Sequence, residues 1–333
     1  MTKIRWGLLS TAHINQKLMP AIRNSHQGEL VAVASRDEKN AHSYAKTHRI
    51  PISFGSYEAL LASDQVDVVY IGLPNHLHAE WMIRAMQAGK HVLCEKPFVL
   101  SLKEMDAVLR VKEETGCKIL EAFMYRYHPQ TQKVIELISE GTIGDVTYVD
   151  GVFQFPLKDA NNIRWNPKFG GGSLWDVGIY PLSFAQLVMG EPPQKVFGQM
   201  NLSNSGIDES FYGQMQYSKG RYAQIRSSFR LPYHTGLTIS GTAGRIFIPR
   251  PFNEMERHRK ISLTDAAGKE HWVKIPRFDL YTGEVDDLNQ AIIEDRDPIL
   301  TLEETRNHLR TILAFYTAAR ENRLVSLDED VLA

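Results

Sequence analysis

The stretch VDVVYIGLPNHLHAEWMIRAMQAGKHVLCEKP, residues 66–97, decides the fold class. Residues 66–73 form an apolar run of strand length, ended by Pro74-Asn75. Met82, Ala85 and Met86 then recur at helical spacing, and Gly89 supplies a C-terminal stop. His91-Val92-Leu93-Cys94 is the next strand, cut off by Pro97. Two continuous apolar strands around one amphipathic helix form a β-α-β unit. Strands of this kind are covered on both faces and run parallel.

The pattern extends in both directions. Toward the N-terminus lie strand-like runs at residues 4–9 and 30–34, the second closed by Ser35-Arg36-Asp37, with helical spacing at 18–23 and at Ala41, Tyr44 and Ala45. Toward the C-terminus, Leu102, Met105 and Leu109 mark a helix and residues 118–122 another strand. Right-handed crossovers make such a sheet doubly wound. After about residue 123 the pattern changes. A helix at 131–140 leads to strand-like runs at 146–155, 196–202, 211–217, 222–229, 237–241, 246–249 and 272–275, some separated by short Gly-containing turns. This predicts a large, mostly antiparallel open sheet. Leu302, Leu309, Leu313 and Tyr316 line one stripe of a long C-terminal helix. The expected class is α/β: an N-terminal doubly wound parallel sheet of Rossmann type, residues 1–122, then an α+β domain for substrate binding and oligomerisation, residues 123–333, with a tight hinge near 121–125.

Composition excludes several functions. Lys+Arg number 38 against 39 Asp+Glu, so there is no basic excess for a nucleic acid or an anionic membrane. The densest basic run, residues 257–260, follows Glu254 and Glu256 and reads as a solvated loop. Cys94 and Cys117 are too few for a disulfide framework or a CxxC metal site. No stretch is apolar enough to span a bilayer, and the N-terminus lacks a signal peptide's layout. The expected location is cytoplasmic.

The turn after the first strand is where a Rossmann unit meets a dinucleotide pyrophosphate, because a helix N-terminus offers unpaired N–H groups. Here it reads Ser10-Thr11-Ala12-His13-Ile14, with Ser10 and Ala12 in positions usually glycine. An ordinary strand-helix turn reads the same way. At the end of the second strand, Ser35-Arg36 replaces the acidic residue that binds a ribose 2′-hydroxyl. A guanidinium pairs with a 2′-phosphate, so NADP(H) is expected over NAD(H), which stays possible. The rival reading gives the acidic role to Asp37 and leaves Arg36 solvated.

Three segments carry a family resemblance. Residues 88–97 end in Glu95-Lys96-Pro97; residues 170–180 read Gly-Gly-Gly-Ser-Leu-Trp-Asp-Val-Gly-Ile-Tyr; and Pro74-Asn75-His76-Leu77-His78 follows the third strand. In order and spacing the chain resembles the glucose-fructose oxidoreductase / inositol dehydrogenase / rhizopine catabolism (Gfo/Idh/MocA) family. With Tyr180 in place of histidine, and with residues 121–129, it is similar to the branch holding dimeric dihydrodiol dehydrogenase, NADP-dependent xylose dehydrogenase and sugar 3-ketoreductase. The resemblance implies an oxidoreductase acting on a sugar or cyclic polyol. A nucleotide-binding regulatory protein of the same fold is the alternative.

It also implies roles. Tyr180 is the acid/base candidate. A free phenol titrates near ~10, so a nearby ammonium, Lys96, is needed to favour the phenolate. Asp176, one helical turn before Tyr180, assists. Leu73, Pro74, Asn75, His78, Glu95, Lys96, Arg164 and Trp165 join the turn residues and Ser35-Arg36 as cofactor-binding candidates. Phe123, Tyr125, Arg126, Phe153 and Tyr281 join Asp176 and Tyr180 as substrate-binding candidates, since aromatic faces stack on pyranose rings. The plain alternatives are packing for the aromatics, a surface charge for Lys96 and a helix cap for Asp176. His76 and His78 have no acidic or Cys partner at metal-ligand spacing, so no metal is expected. An open sheet face in the second domain predicts a homodimer.

Overall fold

The computed structural model of the chain describes residues 3–253, 255 and 258–328. Of the basic run read as a solvated loop, Arg257 lies outside these residues, as do Glu254 and Glu256, while Lys260 opens a strand. The chain forms two compact units: residues 1–126 with 281–305, and residues 127–280 with 306–333.

The first unit is built on a six-stranded parallel sheet. Its strands are β1 (Ile4–Leu9), β2 (Gly28–Ala34), β3 (Ile52–Phe54), β4 (Val68–Ile71), β5 (His91–Glu95) and β6 (Ile119–Ala122), in the order β3-β2-β1-β4-β5-β6. Strand order reverses beside β1, which puts a ligand crevice at the carboxyl ends of β1 and β4. The connecting helices are α1 (Asn15–Asn24), α2 (Glu38–His48), α3 (Tyr57–Leu61), α4 (His78–Gln87) and α5 (Leu102–Thr115). Local chemistry sets their ends. Asp37, Ser56 and Ser101 each accept a backbone N–H at a helix start, and Gly116 closes α5 in the left-handed conformation. The edge strand β3 was not anticipated, being only three residues long.

Residues 281–305 depart from a single cut after residue 122. Helix α8 (Thr282–Ile293) packs on α1, and buried polar contacts fasten it there. Trp6 Nε1 donates to Asn289 Oδ1 at 2.9 Å; Asn289 Nδ2 donates to Ser25 Oγ at 3.1 Å; Ser25 Oγ donates to Asp286 at 2.6 Å. Orphaning one such buried group would cost about 1–3 kcal/mol, so this segment is integral to the first unit.

The second unit contains a nine-stranded sheet. Its strands are β7 (Val146–Gln154), β8 (Lys195–Leu202), β9 (Asp208–Gln216), β10 (Tyr222–Ser228), β11 (His234–Gly241), β12 (Gly244–Ile248), β13 (Lys260–Asp265), β14 (Glu270–Lys274) and β15 (Val325–Ser326). Their order is β14-β13-β12-β11-β7-β10-β9-β8-β15, antiparallel throughout except for the parallel pair β10 and β7. The polar strand β13 and the two-residue β15 gave no readable signal. Alternation divides the sheet. Phe211, Met215, Ala223 and Ile225 face inward, while Tyr212, Gln214, Tyr222 and Arg226 face out. The helices are α6 (Pro129–Ser139), α7 (Ile179–Met189) and α9 (Leu302–Glu321). Helix α7 is apolar nearly all round and buried, packed on β7, and Phe315 of α9 meets Phe211 edge-on at 5.3 Å.

Candidate active site

In the first unit, the turn after β1 is folded by its own polar atoms. The Ala12 N–H donates to Ser10 Oγ at 3.3 Å, and Asn15 Nδ2 donates to the Ser10 carbonyl at 2.8 Å. Serine here tightens the turn that glycine usually permits. Thr11, Ala12 and Ile14 are half-buried and His13 is exposed. The first turn of α1 carries neither an acidic residue nor a side-chain cap. Its positive end is therefore left to an anion such as a pyrophosphate.

The end of β2 also fits a phosphorylated ribose. Asp37, the rival acidic candidate, is engaged as the cap of α2, accepting Asn40 N–H at 2.7 Å. Ser35 Oγ accepts from Asp37 N–H at 3.3 Å and from Asn40 Nδ2 at 3.2 Å, so its own O–H can donate elsewhere. Asn40 Nδ2 also reaches Thr11 Oγ1 at 3.0 Å, tying the two loops together. Asn40 was not anticipated; the Asp-x-x-Asn cap is the signal that marks it. Arg36 is exposed and stands beside the Tyr57 hydroxyl. Burial raises Tyr57 above its ordinary value, and Arg36 pulls the other way. The residues present fit NADP.

The loop after β4 runs through Leu73 and Pro74 into a single 3₁₀ turn, Asn75–Leu77. His78 is fully buried, with Nε2 2.8 Å from the Leu73 carbonyl and Nδ1 2.8 Å from the Pro97 carbonyl. Burial, the largest influence, lowers its pKa. Expected as a cofactor contact, His78 instead fastens the Leu73 loop to the segment that carries Lys96. Among the described residues no group of three or more His, Cys, Asp or Glu could hold a metal ion.

Around Lys96 in the chain and sheet stand buried Tyr70 and Glu121 and half-buried Glu95. Tyr70 donates its hydroxyl to Glu95 at 2.6 Å, and the Phe98 N–H donates to Glu121 Oε1 at 3.0 Å. Burial pushes the Glu121 carboxyl up to about 8, against the pull of Thr305, the Phe98 N–H and Lys96. The Lys96-Pro97 peptide is cis. Three expected substrate contacts, Phe123, Tyr125 and Arg126, belong to the first unit. Phe123 and Tyr125 are fully buried and pack edge-on at 5.9 Å. Arg126 pairs with Glu304 at 2.8 Å, its side chain only 8% exposed. Tyr281, half-buried just before α8, lies near Tyr70.

In the second unit, Asp176 and Tyr180 are brought onto one continuous helical segment. A π-helical turn, Leu174–Gly178, runs directly into α7. Such widened turns recur at functional sites. Asp176 is not a cap: its Oδ2 accepts from Arg164 Nε at 2.7 Å. Arg164, expected as a cofactor contact, is paired with the candidate assisting acid. Trp165 donates its indole N–H to the Asp159 carbonyl at 3.1 Å and packs on Phe229. Tyr180 is 6% exposed, its ring 5.6 Å from Phe153 and 5.5 Å from Phe252. Phe184 completes the cluster through Phe252 at 6.3 Å. Phe184 was legible as the residue one turn beyond Tyr180; Phe252 stands in a loop with no periodic signal.

Comparisons with known proteins show the family and the fold. Residues 4–123 match the oxidoreductase family with an NAD-binding Rossmann fold, GFO/IDH/MocA, and residues 131–247 match a GFO/IDH/MocA C-terminal domain. A D-xylose 1-dehydrogenase (NADP(+)) of Haloferax volcanii is 38% identical over 97% of this chain and 99% of its own. A trans-1,2-dihydrobenzene-1,2-diol dehydrogenase of Xenopus laevis is 32% identical over 74% of this chain and 75% of its own. The crystal structure of KijD10, a 3-ketoreductase from Actinomadura kijaniata in complex with NADP and TDP-benzene, superposes with a TM-score of 0.89 at 28% identity, covering 95% of this chain and 98% of that one.

Proposed function

The chain belongs to the GFO/IDH/MocA family of oxidoreductases, and on that premise we propose that it transfers hydride between NADP(H) and a hydroxyl-bearing carbon of a sugar or cyclic polyol. One observation carries the reading: the end-to-end likeness to an NADP-dependent D-xylose 1-dehydrogenase. That likeness favours oxidation of an aldose at C1 over dihydrodiol oxidation or keto-sugar reduction.

When bound, NADP accepts or returns the hydride. Ser10, Thr11, Ala12, His13 and Ile14 would hold its pyrophosphate, Ser35 and Arg36 its 2′-phosphate, and Pro74, Asn75 and Lys96 its nicotinamide end. Tyr180 exchanges the proton of the reacting hydroxyl, which must leave as hydride leaves its carbon. The family resemblance gives Lys96 the role of tuning the proton-transfer group. Asp176, oriented by its ion pair with Arg164, would read a neighbouring substrate hydroxyl. Phe153 offers an apolar face beside Tyr180.

NADPH formation from NADP⁺, followed with D-xylose, other aldoses, inositol and a trans-dihydrodiol, tests the reading. Turnover with at least one of them is expected, and Tyr180→Phe should lower kcat by about 10²–10⁴-fold. Full activity in Tyr180→Phe would remove the proton-transfer role.

We further propose a homodimer through the outward sheet face. Tyr212, Tyr222, Phe247 and Trp272 are each more than a third exposed there, and an aromatic-rich sheet face is readily covered by a second copy. Light scattering should give twice the chain mass at micromolar concentration; a monomer would count against the dimer.

A further inference from the structure

The turn that presents Asp176 and Tyr180 is held at its start from a distant strand. Asp208 opens β9 and is 1% exposed. Its Oδ2 accepts from Ser173 Oγ at 2.9 Å and from the Leu174 N–H at 2.8 Å, while its Oδ1 accepts from the Tyr316 hydroxyl at 2.6 Å. A helix start leaves backbone N–H groups that a nearby side chain usually caps. No local side chain does so here. The cap comes from a residue 34 positions along the chain.

The triple-glycine run makes room for this. Gly172 has φ +128°, and a Cβ on it would lie 2.2 Å from Asp208 Oδ1. A Cβ on Gly171 would lie 2.4 Å from the Arg164 carbonyl oxygen. The Gly172 carbonyl in turn accepts the Asp176 N–H at 3.1 Å. The backbone that seats Asp176 is thus the backbone pressed against Asp208. Burial drives the Asp208 carboxyl up to about 6, with the donors around it, Tyr316 first, pulling it back.

We propose that Asp208 is a positioning residue for this turn: by gathering Ser173, Leu174 and Tyr316 on its two oxygens, it fixes the register at which Asp176 and Tyr180 are presented. The functional half of this statement rests on the reading of Tyr180 as the acid/base group.

Hydrogen exchange of the full chain, without ligand, reads the positioning directly. Asp208→Asn keeps the size but turns an N–H toward donors. Peptides covering 172–180 should exchange about tenfold faster or more, and those covering 66–97 at the native rate. With NADP⁺ and D-xylose, kcat should fall about thirtyfold while KM for NADP⁺ holds. In a Tyr180→Phe background the same change should cost less than about threefold. Tyr316→Phe, which keeps the carboxylate and two of its donors, should give a smaller acceleration of the same peptides and serves if the asparagine variant does not fold. Unchanged exchange at 172–180 in both variants overturns the proposal. So does a loss that adds fully to Tyr180→Phe, since Asp208 would then act by another route. Loss of the Tyr180 reading alone leaves the exchange result to decide.

Discussion

Glu121 in the first unit and Asp208 in the second are both buried carboxyls packed behind a candidate catalytic segment, yet they are solvated by the protein to different degrees. Glu121 takes the Phe98 N–H, with the Thr305 hydroxyl beside it, and is pushed up to about 8. Asp208 takes three donors on two oxygens and rises only to about 6. Burial raises both; the number of well-placed donors sets how far. The first holds its proton the more tightly of the two. The second gives it up more readily and anchors the turn that carries Asp176 and Tyr180. The difference teaches that the charged form is favoured where donors gather to hold backbone in an unusual course, and disfavoured where few donors reach a buried carboxyl.

The strongest way to break this comparison is Gly172→Ala. The added methyl meets Asp208 Oδ1 at a backbone angle that favours glycine. We expect kcat to fall about a hundredfold or more, with NADP⁺ affinity, measured by quenching of protein fluorescence, little changed. An equal loss in both would mean that the two units do not bear separate tasks.

A smaller effect, on stability, sharpens the contrast. The folded Glu121 carboxyl binds its proton more tightly than the unfolded one, whose ordinary value is 4.5. Its contribution is therefore fully present below that value and is lost as pH rises to about 8. Glu121→Gln keeps an acceptor for the Phe98 N–H and removes the titration. Its melting temperature, equal to or slightly below native in acid, should overtake the native one by a few degrees at alkaline pH. Parallel melting curves across that range would show that Glu121 does not titrate in the folded protein.

The sequence reading reached whatever local periodicity or short-range punctuation encodes. Residues 66–97 carry their β-α-β course in their own apolar spacing, and Glu95-Lys96-Pro97 and the triple glycine stand out as motifs. Pairings made at a distance leave no such mark. Asp208 begins an ordinary strand, and only the folded chain shows why Gly172 must lack a side chain. Arg164 reads equally well as a cofactor contact or as surface packing, and its pairing with Asp176 is visible only in the folded chain. Phe123 and Tyr125 have the composition of a sugar platform and the burial of a core. The return of residues 281–305 to the first unit rests on polar contacts such as Trp6 to Asn289, separated by 283 positions, beyond the reach of any window of residues.

That return has a consequence for how the protein is made. The first strand leaves the ribosome early, but its Trp6 indole meets Asn289 only after nearly the whole chain has emerged. The dinucleotide-binding unit, though it begins first, must wait through the synthesis of eight of the nine strands of the second sheet before α8 can dock. A shortened translation product lacking residues beyond 280 would leave α1 and β2 with an uncovered surface, marking it for the cell's quality control.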